Sequence, residues 1–299
     1  MIEILEFLPT VYLWLYILLA AAFLGQGIAA GAAGRGGDGG AARFLGILVG
    51  ATFTLAVSVH LFHFFTRWYI NGHAPLQSKH EVFTVTGLTT MIFGGALYVG
   101  EKVWRTRGTG AVLGNMVFVL ITLCGGVLWT ALGMKEDYKV NNLVPALQSY
   151  WHPPHVSAYM LGYGSLGLAA VLALFYTVGS IGKKFLGPNS FIAELASPTV
   201  DRWTYKVASL GFPFMTAALC MGALWADDSW GEYWFWDAKE TWALISWAFF
   251  LIYFHLRYVK GWVGLKSQLL VVGGGIMIWI TYMLIHILPA SQASLHVYN

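Results

Sequence analysis

The chain has 299 residues, of which 58% are hydrophobic and 10% are charged, and its formal net charge is +3. Apolar stretches of about 20 residues, the length that crosses the hydrocarbon core of a bilayer, recur along the whole sequence. This composition excludes a soluble globular protein, and the small net charge does not indicate a nucleic-acid partner. We therefore predict an all-α, polytopic membrane helix bundle that forms a single domain over residues 1–299.

The apolar stretches predict eight transmembrane helices. The chain start carries no Lys or Arg and no small-residue cleavage site, so we expect an uncleaved first span rather than a signal peptide. The predicted spans cover residues 10–30, 43–66, 82–100, 111–133, 156–182, 203–225, 241–259 and 266–289.

The basic residues predict the orientation of these spans. Most of the seventeen lysines and arginines fall on one side of the membrane, which the positive-inside rule assigns to the cytoplasm. Both termini and the loop at residues 226–242 then face outward, in a bacterium on the periplasmic side of the inner (plasma) membrane. A thylakoid lumen is the alternative in a plastid. The residues on the predicted cytoplasmic side are Arg35, Arg43, Lys102, Arg105, Arg107, Lys183, Lys184, Arg202, Lys206, Arg257, Lys260 and Lys266.

Residues 226–242, which we call the tryptophan loop, are dense in aromatic and charged side chains. This alternation suits a flat conjugated ligand at a membrane–water boundary, because an indole offers a wide apolar face and one polar N–H group. We predict that the ligand is haem. Asp237, followed three residues later by Glu240, predicts a capping box that opens the seventh span. The candidate haem-binding residues are Trp230, Gly231, Trp234, Trp236, Asp237 and Trp242.

Three histidines are candidate ligands for haem iron, because a neutral imidazole is a common nitrogen ligand of haem. His155 at the outer start of span five and His296 after span eight lie on the predicted side of the tryptophan loop. His152, three residues before His155, is an alternative ligand. His255 lies thirteen residues after Trp242 on span seven, about 20 Å from the loop. It is either an interfacial residue or one ligand of a second haem.

The remaining histidines and the two cysteines support less specific predictions. His60 and His63 share a helix face near the outer end of span two, where they either steer haem or form structural hydrogen bonds. His73 and His80 are expected to be solvated in an outer loop. Cys124 and Cys220 lie in separate spans, which indicates buried structural thiols and excludes a Cys-x-x-Cys-His motif in this chain.

The tryptophan loop and the start of the next span resemble a family signature. Residues 230–247 follow the pattern Trp-Gly-x-Tyr-Trp-x-Trp-Asp-x-Lys-Glu-Thr-Trp-Ala-Leu-Ile-x-Trp, which is similar to that of haem-handling cytochrome c assembly proteins, above all the CcsA (ResC) branch. Ala238 stands where that family usually has proline. Further similarities occur at residues 67–75 followed by Glu81, at 147–156, at 253–257 and at 295–298.

The resemblance implies a ligand set and a function. His155 and His296 would be external axial ligands of haem b, the transported substrate, and His255 an intramembrane ligand completed by a histidine of a CcsB (ResB) type subunit. The chain would move haem outward and present it to Cys-x-x-Cys-His of apocytochrome c, as part of a holocytochrome c synthase (haem lyase). The alternatives are a haem exporter like the CcmC branch and a membrane electron-transfer cytochrome, which would need buried histidine pairs on facing helices.

Overall fold

A computed structural model describes residues 2–34, 39–136, 145–190 and 192–284 of the chain. Within these ranges the regular structure is helical and contains no β-strand. Eight helices are long and apolar enough to cross a membrane, so the predicted all-α, multi-pass architecture is confirmed. The end of the predicted eighth span, His286 and His296 lie outside the described residues, as does Arg35.

The chain divides into two compact units, residues 1–142 and 143–299. Each unit contains four of the candidate spans. The prediction that residues 1–299 act as one haem-handling domain concerns function, and it stays a prediction.

Unit 1 is built around its first helix. One face of α1 carries Tyr12, Tyr16, Leu19 and Phe23, all of which are buried against neighbouring helices. Helix α1 packs mainly against α2 and α4, whereas α2 and α3 touch only sparsely. The fourth span changes to a π-helix between α4 and α5. The unit comprises α1 (Ile2–Ala33), α2 (Gly40–Asn71), α3 (Lys79–Gly100), α4 (Thr109–Ile121), the π-helix Thr122–Leu128 and α5 (Trp129–Gly133).

A buried ion pair closes the connection between α2 and α3. Helix α2 ends at Gly72, whose φ of 71° is in the left-handed region that glycine adopts without strain. Ser78 then caps α3, and Glu81 completes the capping box. The Glu81 carboxylate also accepts a hydrogen bond of 2.6 Å from Nε of Arg67, and both side chains are almost fully buried. The ion pair therefore joins the end of α2 to the start of α3.

Unit 2 is an antiparallel arrangement of four spans. Helix α6 packs against α7 and α9, and α8 packs against α9 and α7. The start of α6, the end of α7 and the start of α8 consequently lie at the same end of the unit, which we call the loop end. The helices are α6 (His152–Phe185), α7 (Pro198–Trp230), α8 (Ala238–Val259) and α9 (Leu265–Trp279), which continues as the π-helix Ile280–Leu284.

The opposite end of unit 2 is held by a polar network. The guanidinium of Arg257 on α8 donates to both carboxylate oxygens of Asp201 on α7, at 2.7 and 3.2 Å. Gln268 on α9 and the backbone N–H of Gly264 also donate to Asp201, at 2.7 and 3.1 Å. One carboxylate thus gathers donors from three segments and fixes these helix ends relative to one another.

Candidate functional site

His155 lies at the loop end of unit 2 and is held by α7. Its Nδ1 lies 2.9 Å from the backbone oxygen of Ala218. A carbonyl oxygen only accepts hydrogen bonds, so Nδ1 carries the proton and the lone pair of the neutral ring is on Nε2. A backbone carbonyl bonded to the far ring nitrogen is the usual way a protein orients a metal-binding imidazole. The local geometry therefore fits the donor chemistry that haem iron requires.

Gly222 makes room for this imidazole. A Cβ atom built at Gly222 would lie 2.6 Å from Cε1 and 2.8 Å from Nδ1 of His155, closer than real side chains approach. Glycine at this position of α7 is therefore required for the hydrogen bond between His155 and Ala218. Gly222 acts as a positioning residue for the imidazole.

Trp225 forms an aromatic floor beside the two candidate histidines. Its ring centroid lies 5.3 Å from that of His152 and 5.4 Å from that of His155. Its indole N–H donates to the backbone oxygen of Ala146 at 2.8 Å, which fixes the ring. His152 is buried whereas His155 is half-buried. The difference in exposure favours His155 over His152 as the residue that a ligand reaches.

The tryptophan loop follows directly from this floor. Trp230, at the end of α7, lies 5.0 Å from Trp225 between ring centroids. Gly231 terminates α7 with a φ of 84°. Trp234 and Trp236 contact each other edge to face at 5.8 Å, and Trp236 is 70% exposed. The loop thus begins beside the aromatic rings at His155 and leaves the indole of Trp236 open.

Two features of the loop are unusual for ordinary packing. Trp236 has a φ of 57°, a left-handed conformation that costs a non-glycine residue roughly 1–2 kcal/mol. The indole N–H of Trp234 is buried and has no hydrogen-bond partner among the described residues. Strained or unsatisfied groups of this kind concentrate at ligand sites. The loop conformation is therefore more costly than simple helix connection would require.

A capping box holds the loop at the start of α8, as predicted. Asp237 accepts from the backbone N–H of Glu240 at 2.8 Å. The Glu240 carboxylate in turn accepts from the backbone N–H groups of Asp237 and Phe235, at 3.3 and 2.8 Å. Asp237 thus has a capping role in the structure, and its predicted part in haem binding stays a prediction.

His255 lies at the other end of α8, remote from the loop. Trp242, the last residue of the loop, and His255 both lie on α8, and the thirteen residues from Trp242 to His255 rise about 20 Å. The His255 side chain is exposed, whereas Tyr253 two residues earlier is buried. The structure thus keeps His255 apart from His155, and the predicted ligand His296 lies outside the described residues.

The histidines of unit 1 are enclosed rather than open. Tyr16 and Tyr12 lie within hydrogen-bonding distance of Nδ1 of His60 and His63, at 3.0 and 3.3 Å. The Tyr12 ring stacks on His60 with centroids 3.9 Å apart. Both histidines are at most 2% exposed. Structural hydrogen bonding, one of the two predicted roles, is therefore what the structure contains at these positions.

Two of the predicted environments are wrong, those of His80 and Cys220. His80 is buried, not solvated, because α3 begins before it and its Nδ1 contacts the backbone oxygen of Gly133 at 2.8 Å. His73 lies in the loop between α2 and α3, as predicted, where it is half-buried and its Nδ1 lies 3.1 Å from the backbone oxygen of Ala74. Cys220 on α7 is exposed rather than buried, whereas Cys124 is half-buried.

Sequence reasoning missed the residues that position His155. Ala218, Gly222 and Trp225 lie on α7, more than sixty residues after His155, and they act through a backbone oxygen, a missing side chain and a buried ring. A possible signal was the spacing of Gly222 and Trp225, which places them near Ala218 on one side of a helix. That spacing indicates a close helix contact, but it does not reveal which residue packs there.

Comparisons with known proteins identify relatives of the chain. Residues 55–291 match the family model described as Cytochrome C assembly protein. The protein named Cytochrome c biogenesis protein CcsA from Trieres chinensis is 33% identical over 264 residues, covering 79% of this chain and 82% of its own. The protein of the same name from Marchantia polymorpha is 32% identical over 259 residues, covering 74% and 78%. That from Hordeum vulgare is 31% identical over 258 residues, covering 75% and 78%.

Proposed function

Because the chain belongs to the cytochrome c assembly family and is of the CcsA type, we propose that it serves cytochrome c maturation by holding haem at the loop end of unit 2. The observation that carries this proposal is the setting of His155. Its imidazole is oriented by Ala218, is half-buried beside Trp225, and adjoins a loop with an open indole face. Partial exposure beside this aromatic surface distinguishes His155 from the buried histidines of unit 1.

The residues of this site would have different roles in haem binding. His155 would coordinate iron through Nε2, and His296 would provide the second axial ligand, as the family resemblance implies. The aromatic faces of the tryptophan loop would cover the macrocycle of haem b, the substrate that is carried. Aromatic contacts of this kind hold a flat ligand without enclosing it. The site is therefore suited to a cargo that must later be released.

Release requires that one ligand be replaceable. The loop keeps its shape through the Asp237–Glu240 capping box, and a backbone hydrogen bond from His155 to Ala218 orients the imidazole. The histidine of a Cys-x-x-Cys-His segment in apocytochrome c would exchange with one of the axial histidines and bring its two thiols to the haem edge. The chain would then act as one subunit of a holocytochrome c synthase.

The position of His255 supports a second haem site shared with another chain. His255 is exposed on α8, so a histidine from a neighbouring subunit can approach it. Buried ionisable residues in membrane spans usually point into their own bundle, whereas an exposed one needs a partner or water. We assign that partner to a CcsB (ResB) type membrane subunit.

The test is the haem content and reduced absorbance spectrum of the chain purified with its candidate partner subunit. We expect His155→Ala and His296→Ala to remove or alter one haem, and His255→Ala to remove a second haem that appears only with the partner. His152→Ala tests the alternative ligand, and it should leave the spectrum close to that of the wild type. Added imidazole should restore the outer haem in a His155→Gly variant.

The matched control is His73→Ala, because His73 is a half-buried histidine of unit 1 outside the proposed sites. If His155→Ala and His73→Ala have the same spectrum as the wild type, the ligand assignment is wrong. A spectrum lost in His152→Ala but kept in His155→Ala would transfer the ligand role to His152. If a variant keeps both haems but does not support apocytochrome c maturation, its defect is instead in haem transfer.

The proposed orientation places the tryptophan loop on the outer face of a bacterial plasma membrane. The distribution of basic residues supports this proposal. In a variant with Cys124 and Cys220 replaced by serine, Tyr233→Cys should react in whole cells with a thiol reagent that does not cross membranes. Lys260→Cys, exposed at the opposite end of unit 2, should react only after the membrane is opened. The reverse pattern would invert the topology.

A further inference from the structure

Unit 1 contains a cavity that haem ligation at His155 does not explain. It has a volume of about 670 Å³ and lies among α1, α2, α3 and α4, near the turn that connects α3 to α4. This volume is within the range of small-molecule sites. Gly50 lines it, and a Cβ atom at Gly50 would meet no atom within 4 Å, so the space at this part of α2 is open.

The interior of the cavity is apolar and its polar atoms are paired. Phe23, Phe53 and Phe118 contribute aromatic walls. The Tyr98 hydroxyl donates to the side-chain oxygen of Gln26 at 2.5 Å, so these two polar groups satisfy each other. The described lining contains no histidine and no cysteine, the side chains that most often hold haem iron. The interior is therefore suited to a hydrocarbon chain.

Positive charge is concentrated at one rim of the cavity. Arg43 lies in the first turn of α2, and Arg105 and Arg107 lie in the turn between α3 and α4. All three side chains are exposed, and none forms a salt bridge with an acidic side chain among the described residues. The proposed orientation places this rim on the cytoplasmic side, where basic pockets between transmembrane helices bind anionic lipid headgroups. The rim therefore has the charge to bind a phosphate group.

The cavity also borders the surface that faces the bilayer. Ile47 on α2 and Val99 on α3 both line it, and they are 67% and 66% exposed. Phe44, one turn before Ile47 on the same helix, is 67% exposed. Because α2 and α3 touch only sparsely, an acyl chain can enter from the bilayer between them.

We propose that this cavity binds an anionic phospholipid, with an acyl chain among the aromatic walls and the phosphate group at Arg43, Arg105 and Arg107. The apolar interior suits an acyl chain, the basic rim suits the phosphate group, and the opening towards the bilayer lets the lipid enter. The site differs from the haem site in position and in chemistry. Its failure would leave the proposed haem function untouched.

The test is native mass spectrometry of the full chain after removal of lipid and addition of phosphatidylglycerol or phosphatidylcholine. We expect one phosphatidylglycerol bound per chain in preference to phosphatidylcholine. The triple variant Arg43→Gln/Arg105→Gln/Arg107→Gln should weaken that binding by about fivefold for each arginine removed. Gly50→Phe, which fills open space without a backbone clash, should abolish it.

Two variants control for general effects. Lys183→Gln/Lys184→Gln/Lys260→Gln removes three exposed positive charges from unit 2, and Gly167→Phe adds the same ring to another helical glycine with open space around it. Both should bind phosphatidylglycerol as the wild type does. Equal binding in all variants, equal binding of both lipids, or haem that displaces the lipid and is lost in the arginine variant would each overturn the proposal. If Gly50→Phe does not fold, the arginine variant still decides.

Discussion

Both units place histidines near a helix end, but they surround them differently. His60, His63 and His80 of unit 1 are each at most 2% exposed, and a tyrosine hydroxyl or a backbone oxygen contacts a ring nitrogen of each. His155 of unit 2 is half-buried, and it adjoins a loop in which Trp236 is 70% exposed. Histidine near the membrane surface is common to both units, so access to the ring separates a structural histidine from a candidate ligand.

The same contrast holds for two glutamates with one local geometry. Glu81 and Glu240 each occupy the third position of a helix and accept from backbone N–H groups of the preceding residues. Around Glu81 the chain turns inward, and the carboxylate pairs with buried Arg67. Before Glu240, which is itself buried, the loop exposes the aromatic rings of Tyr233 and Trp236. One capping device therefore builds a packed core in unit 1 and an open loop in unit 2.

The largest expected effect is on unit 1. Arg67→Ala would leave the Glu81 carboxylate buried without its charged partner, at a cost of about 3–5 kcal/mol in folding free energy. The melting temperature of the chain in detergent should fall sharply. Lys79→Ala, which removes an exposed charge beside the same turn, should leave it unchanged. Equal melting temperatures for both variants would show that the ion pair does not stabilise unit 1.

A smaller effect, confined to the site, is expected for Gly222→Ala. The added methyl group would displace His155 from Ala218, and loss of such an orienting contact typically lowers affinity for the bound metal by about 10–100-fold. Haem titration of the chain with its partner subunit would measure the change. Gly167→Ala, a helical glycine with open space at Cβ, is the control. If the haem affinity is unchanged although His155 has moved, His155 is not a haem ligand.

Glu240→Ala should affect the loop more than the fold. It removes the acceptor for the N–H groups of Phe235 and Asp237, and loss of a helix cap costs about 0.5–2 kcal/mol. We expect faster haem loss and a small change in melting temperature. Glu232→Ala, which removes an exposed charge of the same loop, should have neither effect. A large fall in melting temperature would mean that Glu240, like Glu81, supports the core of its unit.

Much of the architecture is predictable because bilayer thickness constrains it. Eight spans follow from the apolar stretches, and the capping box follows from Asp237 and Glu240, because both signals are local in sequence. Helices extend beyond the predicted spans, as at Pro198, since caps and polar turns continue a helix past its apolar part. The inward turn of His80 follows from this, because an earlier start of α3 places the residue on the helix.

The tertiary part of the site is not predictable in the same way. The pairing of His155 with Ala218 depends on a backbone oxygen, which every residue has, and on the absence of a side chain at Gly222. The strained Trp236 leaves no mark in composition, since tryptophan is usual at membrane boundaries. The aromatic pattern thus indicates that a flat ligand binds, whereas the three-dimensional packing decides which histidine is presented to it.

The smallest expected effect separates the strain of the loop from its aromatic face. Trp236→Gly and Trp236→Ala both remove the ring, but glycine also relieves the left-handed φ of 57° and should be more stable than alanine by about 1 kcal/mol. If the ring covers haem, both variants lose haem faster than the wild type, although the glycine variant melts higher than the alanine variant. If haem loss instead depends on the melting temperature of the variant and not on the presence of the ring, Trp236 is a structural residue. The tryptophan loop of unit 2 would then have a structural role, like the buried histidines of unit 1, although Trp236 is exposed.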